Sequence, residues 1–350
     1  MPRVRLKTLD KTGLSAWVES IGEKPFRGRQ LWSWMYRKGA SSFEAMTDLS
    51  RAFRQKLADS AELDALRLVR ATGSSSTGTR KFLWKCADGL RIETVFIPEA
   101  DRKTVCVSSQ VGCALGCGFC ATGGMGFVRN LESWEIVEQM LGVLRETGIR
   151  PTNIVVMGMG EPFLNYDNVM KAMAVISDPE GVAIGHRRIT ISTAGIPPGI
   201  ARFTAEKRPY RLAVSLNATS DSIRSRIMPV NKKYPLKELM AAAKDYSRKT
   251  GGRITFEYVL IRDVNDSMQD AERLLKLLKN VSCKVNLIPY NPGCGTFKRP
   301  EDERVSAFLD AIKPLASPVI VRMSRGVDIS AACGQLATRI PKNAKKGSLQ

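Results

Sequence analysis

The chain has 350 residues, of which 43% are hydrophobic and 25% are charged, an ordinary globular composition that argues against a disordered chain. At roughly 150 residues per domain, this length suggests two domains, or one large α/β domain with an appendage. No apolar run approaches the ~20 residues of a membrane helix, and the N-terminus lacks the apolar segment of a secretory signal. We therefore expect a cytoplasmic protein without a membrane partner.

The charge balance and the histidine content narrow the function further. The chain carries 54 Lys and Arg against 34 Asp and Glu, a net charge of +20. Such an excess favours a polyanionic partner, of which nucleic acid is the commonest, although a basic protein can also be merely soluble. His186 is the only histidine, so Ser-His-Asp hydrolysis and His-rich metal sites have almost no side chains to use.

Residues 1–60 predict a small basic helical domain, because Leu14, Trp17, Val18 and Ile21 share one helical face. Basic and aromatic side chains alternate in its second half, and lysine pairs occur further along the chain. These candidate contacts for phosphates and bases are Arg27, Arg29, Arg37, Lys38, Trp32, Trp34, Tyr36, Lys232, Lys233, Lys345 and Lys346. For each residue alone, a solvated charge or a core aromatic is the more common role.

Residues 61–100 are expected to form a linker and a β-hairpin. A short turn at residues 73–78 (GSSSTG) precedes two β-prone runs, and Asp88 and Gly89 separate the runs as in a tight hairpin turn. Glu93 falls on the second strand of this hairpin. Alone, it would be an ordinary strand carboxylate.

Strands and helices alternate over residues 101–326, which predicts parallel βαβ units. The predicted strands are residues 104–109, 153–160, 187–193, 210–217, 253–261, 284–290 and 318–324, and the predicted helices are residues 131–146, 168–177, 236–249, 270–279 and 304–315. About six units fit a barrel or partial barrel, although periodicity does not decide closure. In either architecture a ligand binds at the carboxyl ends of the strands. Residues 327–350 are expected to form a C-terminal segment with a basic tail.

A cysteine-rich loop is the most informative stretch. Cys113, Cys117 and Cys120 have the spacing C-x3-C-x2-C, with an aromatic residue before the last cysteine. Three thiolates on one tight loop can hold three irons of a [4Fe–4S] cluster. The fourth iron could then bind the amino and carboxylate groups of S-adenosylmethionine. A structural zinc site is the alternative, but zinc needs four ligands, and Cys106 or a more distant residue would have to supply the fourth. We favour the cluster.

Five further motifs carry a resemblance to a known family. They are residues 23–30 (EKPFRGRQ), 106–113 (CVSSQVGC), 158–162 (GMGEP), 191–195 (ISTAG) and 331–336 (AACGQL). Together with the cysteine loop they resemble the RlmN family of the radical S-adenosylmethionine superfamily. These enzymes methylate carbon 2 of adenine in 23S rRNA, in the peptidyl-transferase centre, and in tRNA, at the adenosine 3′ of the anticodon. The resemblance covers almost the whole chain and implies a partial (βα)6 TIM-like barrel.

The resemblance also implies site residues. Cys113, Cys117 and Cys120 would hold the [4Fe–4S] cluster. The S-adenosylmethionine site would be lined by Gly160, Glu161, Ser192, Ser215, Leu216, Asn217 and Asn291. Cys333 would be the methylated cysteine, Cys106 its partner, and Glu93 the acidic residue near the substrate. The family often has His where this chain has Asn217.

The implied mechanism has two stages and uses two molecules of S-adenosylmethionine. Carbon 2 of adenine is too poor a nucleophile to attack a sulfonium methyl directly, whereas the Cys333 thiolate accepts that methyl easily. A radical formed from the second S-adenosylmethionine would then remove a hydrogen atom from this methyl group. The resulting carbon radical would add to carbon 2, and Cys106 would remove the proton from carbon 2. Cys106 next closes a disulfide with Cys333, which an external donor such as a flavodoxin-type reductant resets.

From the residues alone, Cys106 and Cys333 would be buried small hydrophobes, and Cys86, Cys283 and Cys294 keep that interpretation. Arg322 and Arg325 precede Cys333 and could favour its thiolate. Three other functions remain open. The first is methylation of adenine carbon 8, as in a related antibiotic-resistance family, and the second is a non-enzymatic zinc protein that binds RNA. The third is a radical maturase that acts on protein. We expect a monomer.

Overall fold

The chain is described by a computed structural model that covers residues 3–63, 65–293, 295–315 and 317–338. Cys294 and the basic tail with Lys345 and Lys346 lie outside these described residues. None of the helices in the described part of the chain is long and apolar enough to cross a membrane.

The N-terminal part is helical, as predicted. Helix α1 is Lys11–Ser20, α2 is Phe26–Trp32, which continues into a π-helical turn, and α3 is Arg51–Ser60. Two short strands, β1 (Val4–Arg5) and β2 (Ala61–Glu62), pair beside them. Trp32 and Tyr36 are buried in the core, whereas Trp34 is half-buried and packs under the Lys38 ammonium group. Two of the three aromatic candidates for base stacking are therefore core residues.

Ten strands form one sheet. The remaining strands of the chain, in order, are β3 (Arg67–Gly73), β4 (Arg80–Lys85), β5 (Arg91–Pro98), β6 (Lys103–Val107), β7 (Gln110–Gly112), β8 (Phe127–Asn130), β9 (Asn153–Val156), β10 (Ile189–Thr193), β11 (Arg211–Ser215), β12 (Ile254–Leu260), β13 (Cys283–Pro289) and β14 (Val319–Val321). The order in the large sheet is β14-β13-β12-β11-β10-β9-β6-β5-β4-β3, and β7 pairs with β8 separately. The two edge strands of the large sheet, β14 and β3, are not neighbours, so the sheet is open.

Parallel pairing runs from β6 through β9 and on to β14. The helices that follow the N-terminal ones are α4 (Ala121–Met125), α5 (Ser133–Thr147), α6 (Tyr166–Ser177), α7 (Pro197–Ala205), α8 (Asp221–Ile227), α9 (Leu236–Thr250), α10 (Met268–Leu278) and α11 (Asp302–Ile312). The curved parallel sheet with helical crossovers confirms the predicted partial barrel. Each of the seven parallel strands overlaps a predicted one, and β6 and β13 begin one residue earlier than predicted.

The predicted hairpin is present, and several elements were not predicted. Strands β4 and β5 form the hairpin, with Gly89 in its turn at a φ of +84°. The hairpin extends the barrel sheet, because β5 pairs antiparallel with β6. The unpredicted elements are strands β1, β2, β3, β7 and β8 and helices α4, α7 and α8. The turn at residues 73–78 joins β3 to β4.

A buried ion pair fixes the N-terminal segment to the barrel. The Lys7 Nζ lies 2.6 Å from the Glu138 carboxylate on α5, and the two side chains are 1% and 0% exposed. Arg145 donates to the other oxygen of Glu138 at 2.7 Å. Burial acts to raise the pKa of Glu138, but Lys7 and Arg145 together hold it below its usual value. The carboxylate therefore stays ionised inside the protein.

We predict that Lys7→Met lowers the free energy of unfolding by roughly 3 kcal/mol, because it leaves a buried carboxylate with one cation instead of two. Equilibrium urea unfolding at pH 7, followed by tryptophan fluorescence, measures the loss. The difference from the wild type should shrink as the pH falls through the depressed pKa of Glu138, since a protonated carboxyl no longer needs Lys7.

Lys11→Met is the matched control. Lys11 also joins the N-terminal segment to the barrel, through Asp178 and Glu180, but its side chain is 33% exposed. We expect this variant to lose less than about 1 kcal/mol. Equal losses in the two variants would contradict the importance of the buried pair.

Candidate active site

A cavity of about 360 Å³ lies inside the curved sheet. Its wall includes Cys106 from β6, Glu257 from β12, Arg322 just after β14, and Cys120 and Cys333 from two loops. The structure thus brings together the two cysteines that the resemblance paired, beside one cysteine of the C-x3-C-x2-C loop.

The two paired cysteines have different surroundings. Cys106 is 8% exposed, and burial, with the nearby Cys333, raises the pKa of its thiol to about 12. Cys333 is exposed at the cavity wall, but protein atoms surround its thiol. The partial loss of solvent raises the pKa of this thiol. The nearby Arg322 guanidinium acts to lower the pKa of both thiols. Arg322 thus favours the Cys333 thiolate, as expected of a cationic neighbour, but desolvation outweighs this effect.

Backbone hydrogen bonds shape the cysteine loop. The Cys113 N–H donates to the Gly126 carbonyl at 2.8 Å, and the Ala121 N–H donates to the Gly334 carbonyl, next to Cys333, at 2.7 Å. Gly112 has a φ of +74°, and a Cβ there would lie 1.9 Å from the Gly126 oxygen, so only glycine fits. The sequence therefore folds a tight loop that packs against the segment of Cys333.

The donor set of the loop fits an iron–sulfur cluster. Burial raises the pKa of the Cys117 thiol, and the nearby Cys120 and Cys113 raise it further, so the three thiols of the loop lie close enough to interact. Burial raises the pKa of Cys113 to about 12, and a thiol of this kind loses its proton when it binds a metal.

The zinc alternative finds less support. Cys106, the nearby cysteine considered as a fourth zinc ligand, faces Cys333 and Arg322 instead. A structural zinc site needs four ligands, so this position of Cys106 does not favour a zinc site.

The loop after β9 carries the GMGEP motif and is held by neighbouring side chains. Gly160 has a φ of +98°, and a Cβ there would lie 2.5 Å from Gln110 Cβ. The Gln110 Oε1 accepts from the Glu161 N–H at 2.8 Å. The Glu161 carboxylate is 2% exposed and accepts from the backbone N–H groups of Phe163, at 3.0 Å, and Ala194, at 2.7 Å. Its oxygens therefore join the loops after β9 and β10, although burial raises its pKa.

Three predicted cofactor residues lie at the end of β11, and a fourth on β10. Ser192 on β10 and Ser215 on β11 are half-buried, and Leu216 is fully buried. Asn217, at a φ of +56°, accepts from the Val259 N–H at 2.9 Å, and its amide nitrogen lies 3.3 Å from the Met228 sulfur. The amide of Asn217, where the family often has His, is thus committed to joining β11 to β12.

Asn291 follows β13 and holds the loop of Cys333. Its Nδ2 donates to the Ser324 hydroxyl at 2.9 Å and to the Cys333 carbonyl at 3.3 Å. This predicted cofactor residue therefore connects the end of β13 with the segments that follow β14.

Glu93 also contacts the C-terminal segment. Its carboxylate lies 3.1 Å from the Lys81 Nζ and accepts from the Ala337 N–H at 2.9 Å. Lys81 in turn donates to the Ser330 carbonyl at 3.0 Å. Burial raises the pKa of Glu93, while Lys81 and the Ala337 N–H oppose the shift. The structure places Glu93 as a tie between the hairpin and the segment that carries Cys333.

Sequence reasoning missed three charged residues of the site. Arg322 was noted only as a neighbour of Cys333 along the chain. Glu257 is 6% exposed, its Oε1 accepts from Asn286 at 2.9 Å, and its Oε2 has no partner among the described residues. Its position inside the largely apolar predicted strand 253–261 was the sequence feature that could have identified Glu257 as a candidate site residue. Arg224 is fully buried on α8, and its helical surroundings gave no such signal.

Comparisons with known proteins match two parts of the chain to family models and nearly the whole chain to curated relatives. A family model described as the ribosomal RNA large subunit methyltransferase N-terminal domain matches residues 4–63. A model of the radical SAM superfamily matches residues 107–278. Two curated relatives are both named dual-specificity RNA methyltransferase RlmN. The protein from Syntrophobacter fumaroxidans is 48% identical and aligns over 96% of this chain and 98% of its own. That from Geotalea uraniireducens is 46% identical over 99% and 100%.

A solved structure has the same fold. The crystal structure of a radical SAM methyltransferase from Sphaerobacter thermophilus superposes with a TM-score of 0.91 and is 46% identical in sequence. The alignment covers 96% of this chain and 99% of that one.

We predict that Glu93→Ala loosens the C-terminal segment. The variant removes the acceptor of the Ala337 N–H and the counter-charge of Lys81, a loss of roughly 1.5–3 kcal/mol for a hydrogen bond to a charged group. Hydrogen exchange over residues 327–338, read by mass spectrometry, should become about tenfold faster or more. Glu93→Gln keeps an oxygen acceptor and should give a smaller increase. Unchanged exchange in Glu93→Ala would contradict this role.

Proposed function

The chain belongs to the RlmN family of radical S-adenosylmethionine RNA methyltransferases, and from this premise we propose that it methylates carbon 2 of adenosine in RNA. Its substrates are the adenosine of the peptidyl-transferase centre in 23S rRNA and the adenosine 3′ of the anticodon in tRNA, in keeping with the dual specificity in its relatives' name. The observation that carries the proposal is the cavity in which Cys106 and Cys333 meet beside the cysteine loop.

The cofactors of the family are a [4Fe–4S] cluster and S-adenosylmethionine. When bound, the cluster supplies the electron that cleaves S-adenosylmethionine. We propose that Cys113, Cys117 and Cys120 hold the cluster, since they are half-buried, carried on one tight loop and close enough for their thiols to interact. The S-adenosylmethionine site is formed by the carboxyl-end loops that contain Gly160, Glu161, Ser192, Ser215, Leu216, Asn217 and Asn291.

Within that site the side chains and the backbone have separate tasks. The side chains of Glu161, Asn217 and Asn291 form hydrogen bonds with neighbouring backbone and hydroxyl groups, so they hold the loops in place. Gly160 lets the backbone approach a ligand closely, because a side chain there would collide with Gln110. We propose that the backbone of these loops makes most of the polar contacts with S-adenosylmethionine.

Cys333 is the methyl carrier in this proposal. Its sulfur gives up its proton, accepts a methyl group and presents that carbon to the adenine through the cavity. The Arg322 guanidinium stabilises the negative charge that develops on this sulfur. Asn291 and Glu93 are positioning residues, since one holds the Cys333 carbonyl and the other the Ala337 N–H.

Cys106 completes the reaction. When S-adenosylmethionine is cleaved, the radical it supplies would remove one hydrogen atom from the methyl group on Cys333, and the remaining carbon would bond to carbon 2 as one electron returns to the cluster. The Cys106 thiolate takes the proton from carbon 2, loses it to solvent and attacks the Cys333 sulfur. The bond between that sulfur and the carbon breaks, the carbon takes up a proton as it leaves as the methyl group of the RNA, and a disulfide remains. Two electrons from an external donor restore the two thiols. The shared cavity wall and the electrostatic coupling of the two thiols support this pairing.

The partners follow from the chemistry and the charge. The net charge of +20 suits a polyanionic RNA. Arg27, Arg29, Lys232 and Lys233 remain candidates for phosphate contacts. We also propose a flavodoxin-type electron donor, a monomeric state and action in the cytoplasm, where ribosomal and transfer RNA are found.

The test is an anaerobic assay of the reconstituted protein. Iron and sulfide are loaded first, and S-adenosylmethionine, a reductant and unmodified 23S rRNA fragments or tRNA are then added. We expect 5′-deoxyadenosine and 2-methyladenosine from the wild type. Cys333→Ala should make no methyladenosine, since the methyl carrier is lost. Cys106→Ala should methylate Cys333 but release less than about 1% of the wild-type RNA product, because resolution fails.

Cys86→Ala is the matched control, since Cys86 is buried but lies outside the cavity wall, and full activity is expected. NMR of the product distinguishes a methyl group on carbon 2 from one on carbon 8. A methyl group on carbon 8 would contradict the proposed carbon-2 methylation. Cleavage of S-adenosylmethionine without RNA methylation would refute the substrate but not the cluster. If the purified protein contains zinc and binds no iron or sulfide, the proposal that it is a radical S-adenosylmethionine enzyme is wrong.

A further inference from the structure

Arg224 on α8 is a buried cation with an unusual set of partners. Its side chain is completely buried. The Nε donates to the Leu216 carbonyl at 3.0 Å, and Nη1 donates to the Asn231 side-chain oxygen at 3.0 Å. The Nη2 donates to the carbonyls of Ala194, at 2.6 Å, and Ser215, at 3.1 Å. All four acceptors are neutral, and three are backbone carbonyls of the loops after β10 and β11.

No carboxylate balances this charge directly. Among the described residues, Arg224 forms no ion pair with Asp or Glu, and the titratable groups whose charged forms favour its cation are Cys117 and Asp221. The Asp221 carboxylate already accepts from Asn231, at 2.9 Å, and from the Leu236 N–H, at 2.8 Å. Burial lowers the pKa of Arg224 to about 10, so the side chain remains a cation at neutral pH. An unbalanced buried charge costs several kcal/mol unless a counter-charge is supplied.

The cysteine loop lies against the same helix. The Ile227 carbonyl at the end of α8 accepts from the Gly118 N–H, between Cys117 and Cys120, at 3.0 Å. Gly195 adopts a φ of +100°, and a Cβ there would lie 3.1 Å from Arg224 Nη2, so the absence of a side chain leaves space for the guanidinium. Arg224 therefore holds a positive charge at a fixed position that is shielded from solvent, beside the cysteine loop.

We propose that Arg224 is the internal counter-ion of the iron–sulfur cluster and that it favours the reduced form of the cluster. This inference rests on the proposed function, because it needs a cluster on Cys113, Cys117 and Cys120. A cluster held by three thiolates is an anion, and it gains one more negative charge when it accepts an electron from the external donor. A nearby cation in a medium of low polarity stabilises the reduced cluster more than the oxidised one.

The expected effect is a shift in the reduction equilibrium of the cluster. Arg224→Gln keeps hydrogen-bond donors but removes the charge, so its cluster should be about tenfold or more harder to reduce, or ~59 mV for one electron. Arg224→Lys keeps the charge but loses the forked geometry, so its potential should stay closer to that of the wild type. Arg226→Gln is the matched control, since Arg226 lies on the same helix but is exposed to solvent, which screens its charge.

The experiment uses full-length wild type and the three variants, all reconstituted anaerobically. Iron and sulfide are counted, and the reduced cluster is followed by electron paramagnetic resonance during a redox titration. A lower potential in Arg224→Gln, with Arg224→Lys and Arg226→Gln near the wild type, supports the proposal. A loaded Arg224→Gln with the wild-type potential overturns it, as does an equal shift in Arg224→Lys.

Loss of the cluster is also informative. If Arg224→Gln holds no iron while Arg224→Lys is loaded with a potential near the wild type, the charge is needed and the proposal stands. If neither Arg224 variant binds iron, the hydrogen bonds of Arg224 are what the cluster needs, and the proposed role of its charge is contradicted. A wild type that binds no [4Fe–4S] cluster would instead overturn the proposed function, so the two failures are distinguishable.

Discussion

Parallel pairing of β6 with β9, and of each later strand with the next, is the constraint on which the site depends. It places the carboxyl ends of seven strands at one edge of the sheet, so loops that are distant in sequence become neighbours. Cys106 pairs with Val155 on β9 and with Val95 on β5. This register points Cys106 into the lumen, where a shift of one residue would turn the thiol to the other face of the sheet.

Polar side chains then tie these loops to one another. Glu161 joins the loops after β9 and β10, Arg224 joins those after β10 and β11, and Asn291 joins the end of β13 to the Cys333 segment. Each bond satisfies a backbone group that would otherwise be buried without a partner. The loops are therefore fixed before any ligand arrives, and a site fixed in advance binds at a lower entropic cost.

The sequence predicted what local patterns encode. Apolar runs located the parallel strands, Asp88 and Gly89 located the hairpin, and the cysteine spacing located the loop. Strand β3 was missed because its mostly exposed residues include two arginines and a glycine and lack the apolar pattern of a buried strand. Helix α7 was missed because it begins with two prolines and a glycine. The meeting of Cys106 and Cys333 depends on tertiary register, and the burial of Arg224 contradicts the usual exposure of arginine on a helix. The resemblance supplied the cysteine pair, whereas nothing in the sequence supplied Arg224.

The electrostatics of the cavity follow from the same packing. A thiol reacts as its thiolate, and burial disfavours that form at both Cys106 and Cys333. Two protonated thiols side by side resist premature oxidation, because disulfide exchange begins with a thiolate. Arg322 supplies positive charge to both sulfurs, and the buried Glu257 partly offsets it. Both thiols are therefore protonated at neutral pH, and in the proposed mechanism each must lose its proton before its sulfur can react.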